Sequence, residues 1–358
     1  MPVTDAGPAT RALRLRRGVP VLDRGPDRLQ LGSDTRWSLV VCGLSDGERA
    51  WLREAATSRH DDLVHGAARH RVAPERRAQI VAALTAGGFL VPPAAPPGTV
   101  LATAGGAADA PTLAALRPDG DGLRTLTRRA RRQVAVLGLG RLGALTAAHL
   151  ASAGLGAVML DDDRPVQLTD LGLGLYREAD VGHRRAARLQ SVLAARHPRT
   201  RFGSTWRDEA PPDVVVVCGG TDPPEAFARL MSHGLAHLPL VAGEAGIEVG
   251  PFVRPGTTAC TACRYHHEVD ADPDWPRLVA QLAARPGDAG QETVLATTGA
   301  AVAAGQVLAH LDGARPAAAD AVLEISLPDP LPRVRAMPPH PACGCTGTAP
   351  PPVADRSG

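Results

Sequence analysis

The chain contains no lysine and no asparagine, so all 39 residues counted as lysine plus arginine are arginine. Codon usage in a GC-rich genome accounts for that bias, given abundant Ala, Gly and Pro. It nevertheless excludes any mechanism that needs a lysine ammonium or an asparagine amide. Also absent are an apolar run approaching the roughly 18 to 20 residues that span a bilayer and the apolar region of a signal peptide. A cytoplasmic location with no membrane partner is expected. The net charge of +2 gives no electrostatic reason for a nucleic-acid partner. No internal repeat is visible. What remains, 358 residues with 44% hydrophobic content, is enough for two domains with cores of ordinary size.

The most informative stretch is Val134 to Gly182. It reads as a strand (Val134-Ala-Val-Leu-Gly138), a turn with Gly138, Gly140 and Gly143 in GxGxxG spacing, a helix, and a second strand ending in Asp161 to Asp163. Such a turn lets backbone amides close on a polyphosphate at a helix N-terminus, and an acid about 20 residues later can hold a ribose hydroxyl.

Residues 1–17 are polar, proline-containing and arginine-rich, and are expected to be disordered, as is the tail 347–358. Val19 to Leu22 and Arg28 to Leu31 read as a hairpin. Ser45-Asp-Gly-Glu48 reads as a capping box before a helix carrying Trp51 and Leu52. A further helix is expected over Pro74–Ala86, with Ile80, Val81 and Leu84 inward and Gly87-Gly88 ending it, followed by a strand Phe89–Val91. Together these make a small winged-helix-like α+β domain of residues 18–91. A linker is placed at 92–128, where Pro92 to Gly98 breaks regular structure and Gly105 to Gly122 is turn-rich. Beyond it strands near 134, 157, 213 and 238 alternate with helices near 142–153, 182–195 and 223–233. That pattern is α/β, a Rossmann-like doubly wound sheet over 129–346. Its C-terminal part adds a strand from Ile247, helices near Trp275–Ala284 and Glu292–Leu311, and a last strand Ala321–Leu327.

Four of six cysteines fall in two pairs, Cys260-Thr-Ala-Cys263 and Cys343-Gly-Cys345. Two such pairs brought together by folding close a four-cysteine structural zinc site. The competing reading, a redox CxxC, is disfavoured because this pair follows Pro255-Gly256 rather than opening a helix. His266, His267 and His340 lie near enough in sequence to be ligands, or are surface histidines. Cys42 and Cys218 sit beside apolar strand-like runs and read as buried thiols.

These residues together resemble the ThiF/MoeB family, the adenylating relatives of ubiquitin-activating enzymes. The resemblance rests on the glycine turn, Leu150-Ala-Ser-Ala-Gly-Leu-Gly156, the acidic strand end, Asp180-Val-Gly182, and Pro255 to Cys263 with the later cysteine pair. It implies ATP-dependent formation of an acyl-adenylate, with release of pyrophosphate, and nucleotide contacts from Gly138, Gly140, Gly143 and Asp162. Arg185 falls at the position of a lysine, and Asp222 is a shifted candidate for the magnesium aspartate. The chain departs from the family pattern elsewhere: Leu173 replaces a phosphate-binding arginine, Asp170 an asparagine, and Arg164 a second acid. Those departures imply lost adenylation and leave ATP and magnesium binding open.

With the small N-terminal module in front, the chain is most similar to the leader-peptide-binding, ThiF-like partners of YcaO cyclodehydratases in azole- and azoline-modified peptide biosynthesis. That resemblance implies a precursor leader peptide bound by strand addition, a YcaO-type partner and a homodimer. An active adenylyltransferase is the second reading and a nucleotide-binding oxidoreductase the third. A dimerisation or DNA-binding wing is the alternative role of residues 18–91.

Overall fold

The structure, a computed structural model, describes residues 13–16, 18–57, 63–91, 104–117, 120–203, 211–220, 227–284 and 291–347. The chain divides into two compact units, Met1–Thr127 and Arg128–Gly358.

In the first unit, strand β1 (Arg14–Leu15) pairs antiparallel with β5 (Leu90–Val91), although residues 1–17 are expected to be unstructured. A few backbone bonds and the burial of Leu15 suffice to order it. Residues 1–12, like the Pro92–Gly98 break, Asp222 and the tail from 348, lie outside the described residues. Strands β2 (Val21–Gly25), β3 (Arg28–Leu31) and β4 (Leu39–Val41) form a three-stranded antiparallel sheet in which the expected hairpin pairs Val21 with Leu31. The capping box opens α1 (Asp46–Thr57): Ser45 N donates to Glu48 Oε2 at 2.8 Å, and Glu48 N to Ser45 Oγ at 3.3 Å. After α2 (Leu63–Arg69), α3 (Pro74–Ala86) starts on a proline at its first turn and ends at Gly87.

Leu29, Leu31, Trp51, Leu52, Ile80 and Leu84 fill the core of this unit. Trp51 donates its indole N–H to Leu63 O, so its polar end is satisfied in the interior. Helix α3 lies beside β4, whereas β2 is flanked by α1, whose Arg49 and Arg53 pair with Asp23. The expected turn-rich linker contains two helices, α4 (Ala104–Leu116) and α5 (Gly122–Arg129). Gly105 and Gly122, which bound the stretch that reads as turn-rich, lie in the first turns of these two helices, and α4 also carries Pro111 inside it.

The second unit is built on one eight-stranded sheet. In sequence order its elements are β6 (Gln133–Leu137), α6 (Arg141–Ser152), β7 (Ala157–Asp161), α7 (Arg185–Arg196), β8 (Arg201–Gly203), β9 (Val214–Gly219), α8 (Ala228–Ser232), β10 (His237–Ala242), β11 (Gly246–Val249), α9 (Thr261–Ala271), α10 (Trp275–Ala283), α11 (Thr293–Leu311), β12 (Ala321–Ser326) and β13 (Arg333–Ala336). The spatial order is β13-β12-β11-β10-β9-β6-β7-β8. The strands from β10 to β8 are parallel, and β11 to β13 are antiparallel. Val214, Val215 and Val216 are fully buried, as a strand covered on both faces requires.

Two features depart from expectation. A thirteenth strand follows Ala321–Ser326 as the sheet edge; its Arg-Val-Arg-Ala alternation is only four residues long and Val334 stays exposed, so no buried face announces it. Helix α11 is, by length and composition, apolar enough to cross a membrane, against the expectation that no such run exists. Its Ala296, Gly299, Ala300 and Ala303 are buried, and it packs on α6 and the sheet. Small residues there let the two helices approach, and a Cβ at Gly299 would come within 3.0 Å of Ile247.

Candidate functional site

The glycine turn sits where β6 lies between β7 on one side and β9 on the other, a topological switch point that leaves a crevice at the strand ends. Gly138 adopts φ +81°, and a Cβ there would meet Cys218 O at 2.0 Å. A Cβ at Gly143 would meet Gly138 O at 1.9 Å, so both positions require glycine for the turn to close. Gly140 is the residue before α6 and offers that helix no side-chain cap. A small cleft beside the turn is lined by Gly140, Gly143, Arg164, Cys218, Gly219 and Gln291. Cys218 is half-buried there, and Cys42, expected to be buried, is exposed.

Asp162, the candidate ribose acid, is buried and engaged by its own chain. Its Oδ1 accepts from the Arg164 amide at 3.0 Å and Arg164 Nε at 2.9 Å. Its Oδ2 accepts from Leu139 N at 2.8 Å, Arg164 NH2 at 2.9 Å and Arg185 NH1 at 3.2 Å. A carboxylate has about four acceptor sites, so both oxygens are saturated. Burial acts to raise the Asp162 carboxyl, but the Arg164 guanidinium and the Leu139 amide hold it below its ordinary value.

Arg185, expected from the resemblance to stand at a lysine position, is 1% exposed and turned inward. Its Nε and NH2 grip Asp170 at 2.8 and 2.9 Å. Asp170 is aimed by a 3-10 turn over Leu168–Asp170, where its Oδ2 also accepts from Gln167 N at 2.8 Å. Tyr176 closes the cluster by donating its hydroxyl to Leu139 O at 2.9 Å. Burial, with Asp170 nearby, raises the Tyr176 hydroxyl well above its ordinary value. Asp162, Arg185 and Asp170 therefore form a closed ionic cluster under the pocket, and the half-buried Leu173 brings no charge to it. The departures at positions 164 and 170 signal an altered site in sequence, but the mutual pairing of these residues is a tertiary fact. Gln291 carries no motif at all.

The second candidate centre is the cysteine tetrad. The four sulfurs lie within 4.8 Å of one another. Cys260 to Cys263 is 3.9 Å, Cys260 to Cys343 3.6 Å and Cys263 to Cys345 3.3 Å. A tetrahedron with metal–sulfur bonds of about 2.3 Å has edges of roughly 3.8 Å, so the four sulfurs fit a single ion. Burial pushes the Cys260 thiol up to about 11, and burial with the neighbouring Cys263 pushes Cys345 higher still. A divalent cation among them offsets that cost of ionisation.

One expectation about this centre is corrected: Cys260 caps the N-terminus of α9, so the CxxC does open a helix. The convergence of the second pair, not the absence of a helix, is what favours a metal. His266 stacks on His340 with ring centroids 5.1 Å apart, His267 Nε2 bonds Pro338 O, and His340 Nε2 bonds Asp270 at 2.8 Å. The candidate ligand group consists of the four sulfurs alone among the described residues.

A family model described as the ThiF family matches residues 115–345, and the chain belongs to that family. Among solved structures of the same fold is the microcin C7 biosynthetic enzyme MccB in complex with N-formylated MccA, with a TM-score of 0.68 and 16% identity over 94% of this chain and 99% of that one. MccB from E. coli with ATP gives 0.67 and 15%, over 94% and 99%. PaaA gives 0.66 and 17%, over 89% and 98%. No curated protein matches the sequence.

Proposed function

We propose that this ThiF-family chain is a leader-peptide-binding scaffold that presents a ribosomal precursor to a YcaO-type cyclodehydratase and does not adenylate. The observation that carries the reading is the state of Asp162. In a working pocket its carboxylate is available to a ribose; here Arg164 and Arg185 neutralise it. Freeing it would break the buried cluster with Asp170, at a cost of several kcal/mol. Leu173 adds no phosphate contact, and Asp222 is an unplaced candidate for magnesium. The likeness in fold to MccB, whose structures include peptide and ATP complexes, supports handling of a precursor peptide and keeps an active adenylyltransferase as the alternative. An oxidoreductase reading leaves the cysteine tetrad unexplained.

The peptide site we assign to the first unit uses the outer edge of β4, which has no further strand paired to it among the described residues, with α3 as its wall. Strand β4 ends the three-stranded sheet beside α3, and its Val40 is 37% exposed. Main-chain pairing along such an edge supplies affinity, and the groove beside the helix selects side chains. Zinc held by Cys260, Cys263, Cys343 and Cys345 has a structural role, and the protein works as a cytoplasmic homodimer.

Fluorescence anisotropy with a labelled leader, run beside ATP–pyrophosphate exchange, tests the reading. Leader binding without exchange is the expected result. Peptide-dependent exchange abolished by Asp162→Ala would establish the alternative.

A further inference from the structure

The first turn of α6 is closed by a residue from a distant segment. Gln291 Oε1 accepts from Leu142 N at 2.9 Å, satisfying an amide that Gly140 cannot cap. Arg141 binds the same segment through NH1 to Gln291 O at 2.5 Å and NH2 to Thr293 Oγ1 at 2.8 Å. The backbone after Gln291 is fixed in turn, because Glu292 caps α11 by accepting from Leu295 N at 2.9 Å. A carboxamide oxygen therefore stands where a glycine turn of this kind holds a phosphate oxygen.

We infer that Gln291 is an intramolecular latch over a polyphosphate seat, which a phosphate ligand enters only by displacing the carboxamide. This rests on the reading of a pocket without adenylation and adds that its phosphate half is covered rather than lost. The glycine geometry is intact, since neither Gly138 nor Gly143 could carry a side chain. Arg164 lines the cleft, and Arg141 Nε is buried with no hydrogen-bond partner. For the Leu142 amide and the Arg141 guanidinium an oxyanion is the stronger acceptor and is favoured by the helix dipole, whereas a neutral amide oxygen gains little from either. The latch therefore holds because it is tethered, and its removal exposes a seat for a charged ligand.

The test is calorimetric titration of the full-length protein with inorganic pyrophosphate, a probe that makes no demand on Asp162. Gln291→Ala is expected to bind at least about fivefold tighter than the natural chain, the equivalent of one net hydrogen bond. Gln291→Glu keeps the acceptor and adds a charge that repels the ligand, so it is expected to bind more weakly than the natural chain. Thr293→Val, which frees one arm of Arg141 and leaves the Glu292 cap in place, gives a smaller gain and serves if Gln291→Ala does not fold. No gain in either Gln291→Ala or Thr293→Val, or equal binding by Gln291→Ala and Gln291→Glu, overturns the latch. Exchange activity in the natural chain would instead defeat the scaffold reading, leaving the latch to be judged on these affinities.

Discussion

Arg185 and Asp170 meet fork to carboxylate, Nε and NH2 each bonded to a different oxygen at 2.8 and 2.9 Å, both side chains almost wholly out of water. The same guanidinium reaches Asp162 through NH1, so one cation bridges two buried acids, with Arg164 supplying the second charge at Asp162.

Removing that cation leaves two carboxylates buried without it. Arg185→Ala is therefore expected to lose about 3–5 kcal/mol in urea denaturation. Arg185→Lys keeps the charge but not the planar fork and should lie between. A loss under 1 kcal/mol for Arg185→Ala would show that the cluster does not hold the fold.

ATP–pyrophosphate exchange should stay at background with any candidate peptide. A missing electrostatic contact of this kind costs on the order of a hundredfold in rate, and Leu173 and the engaged Asp162 remove two. Leu173→Arg alone is expected not to restore exchange. Recovery in that variant would mean that Asp162 is free to work despite its partners.

For the cysteine tetrad, metal analysis should find one zinc per chain, with four thiols unreactive until a chelator is added. Cys263→Ser should lose the metal and lower the melting temperature. Stoichiometric metal in that variant would place the ion elsewhere.

His237 governs an acid-labile part of the stability. Burial pushes its pKa down to about 4 from 6.5, Nδ1 bonds Leu235 O, and Nε2 has no partner. Because the unfolded chain takes up this proton first, the contribution is full above pH 6.5 and is lost as pH falls to about 4. The loss amounts to about 3 kcal/mol at roughly 1.4 kcal/mol per pKa unit. Asp162, held below the ordinary carboxylate range, acts at lower pH. His237→Leu should flatten the stability profile between pH 6.5 and 4; an unchanged slope there would assign the loss to other groups.

Leader binding should reside in the first unit. A chain lacking residues 1–127 is expected to lose it, and Val40→Asp, on the β4 edge, to weaken it about tenfold with the fold intact. Equal affinity of the shortened and full chains would move the peptide site to the second unit.

The glycine spacing, the Ser45–Glu48 box, the Pro74–Ala86 helix and the apolar strands were legible because each is a local pattern whose period or cap acts within a few residues. The four cysteines were legible as two pairs, but only folding brought Cys260 to 3.6 Å from Cys343 and Cys263 to 3.3 Å from Cys345. Strands β1, β8 and β13 escaped because they are two to four residues long and offer too few residues for a pattern to show. The substitutions at 164, 170 and 173 announced an altered pocket. That Arg185 faces inward to Asp162 and Asp170, and that Gln291 covers the first turn of α6, was decided by tertiary structure alone. Burial of a charge and displacement of a ligand depend on which groups meet across 15 to 149 residues of chain, a separation no local pattern encodes.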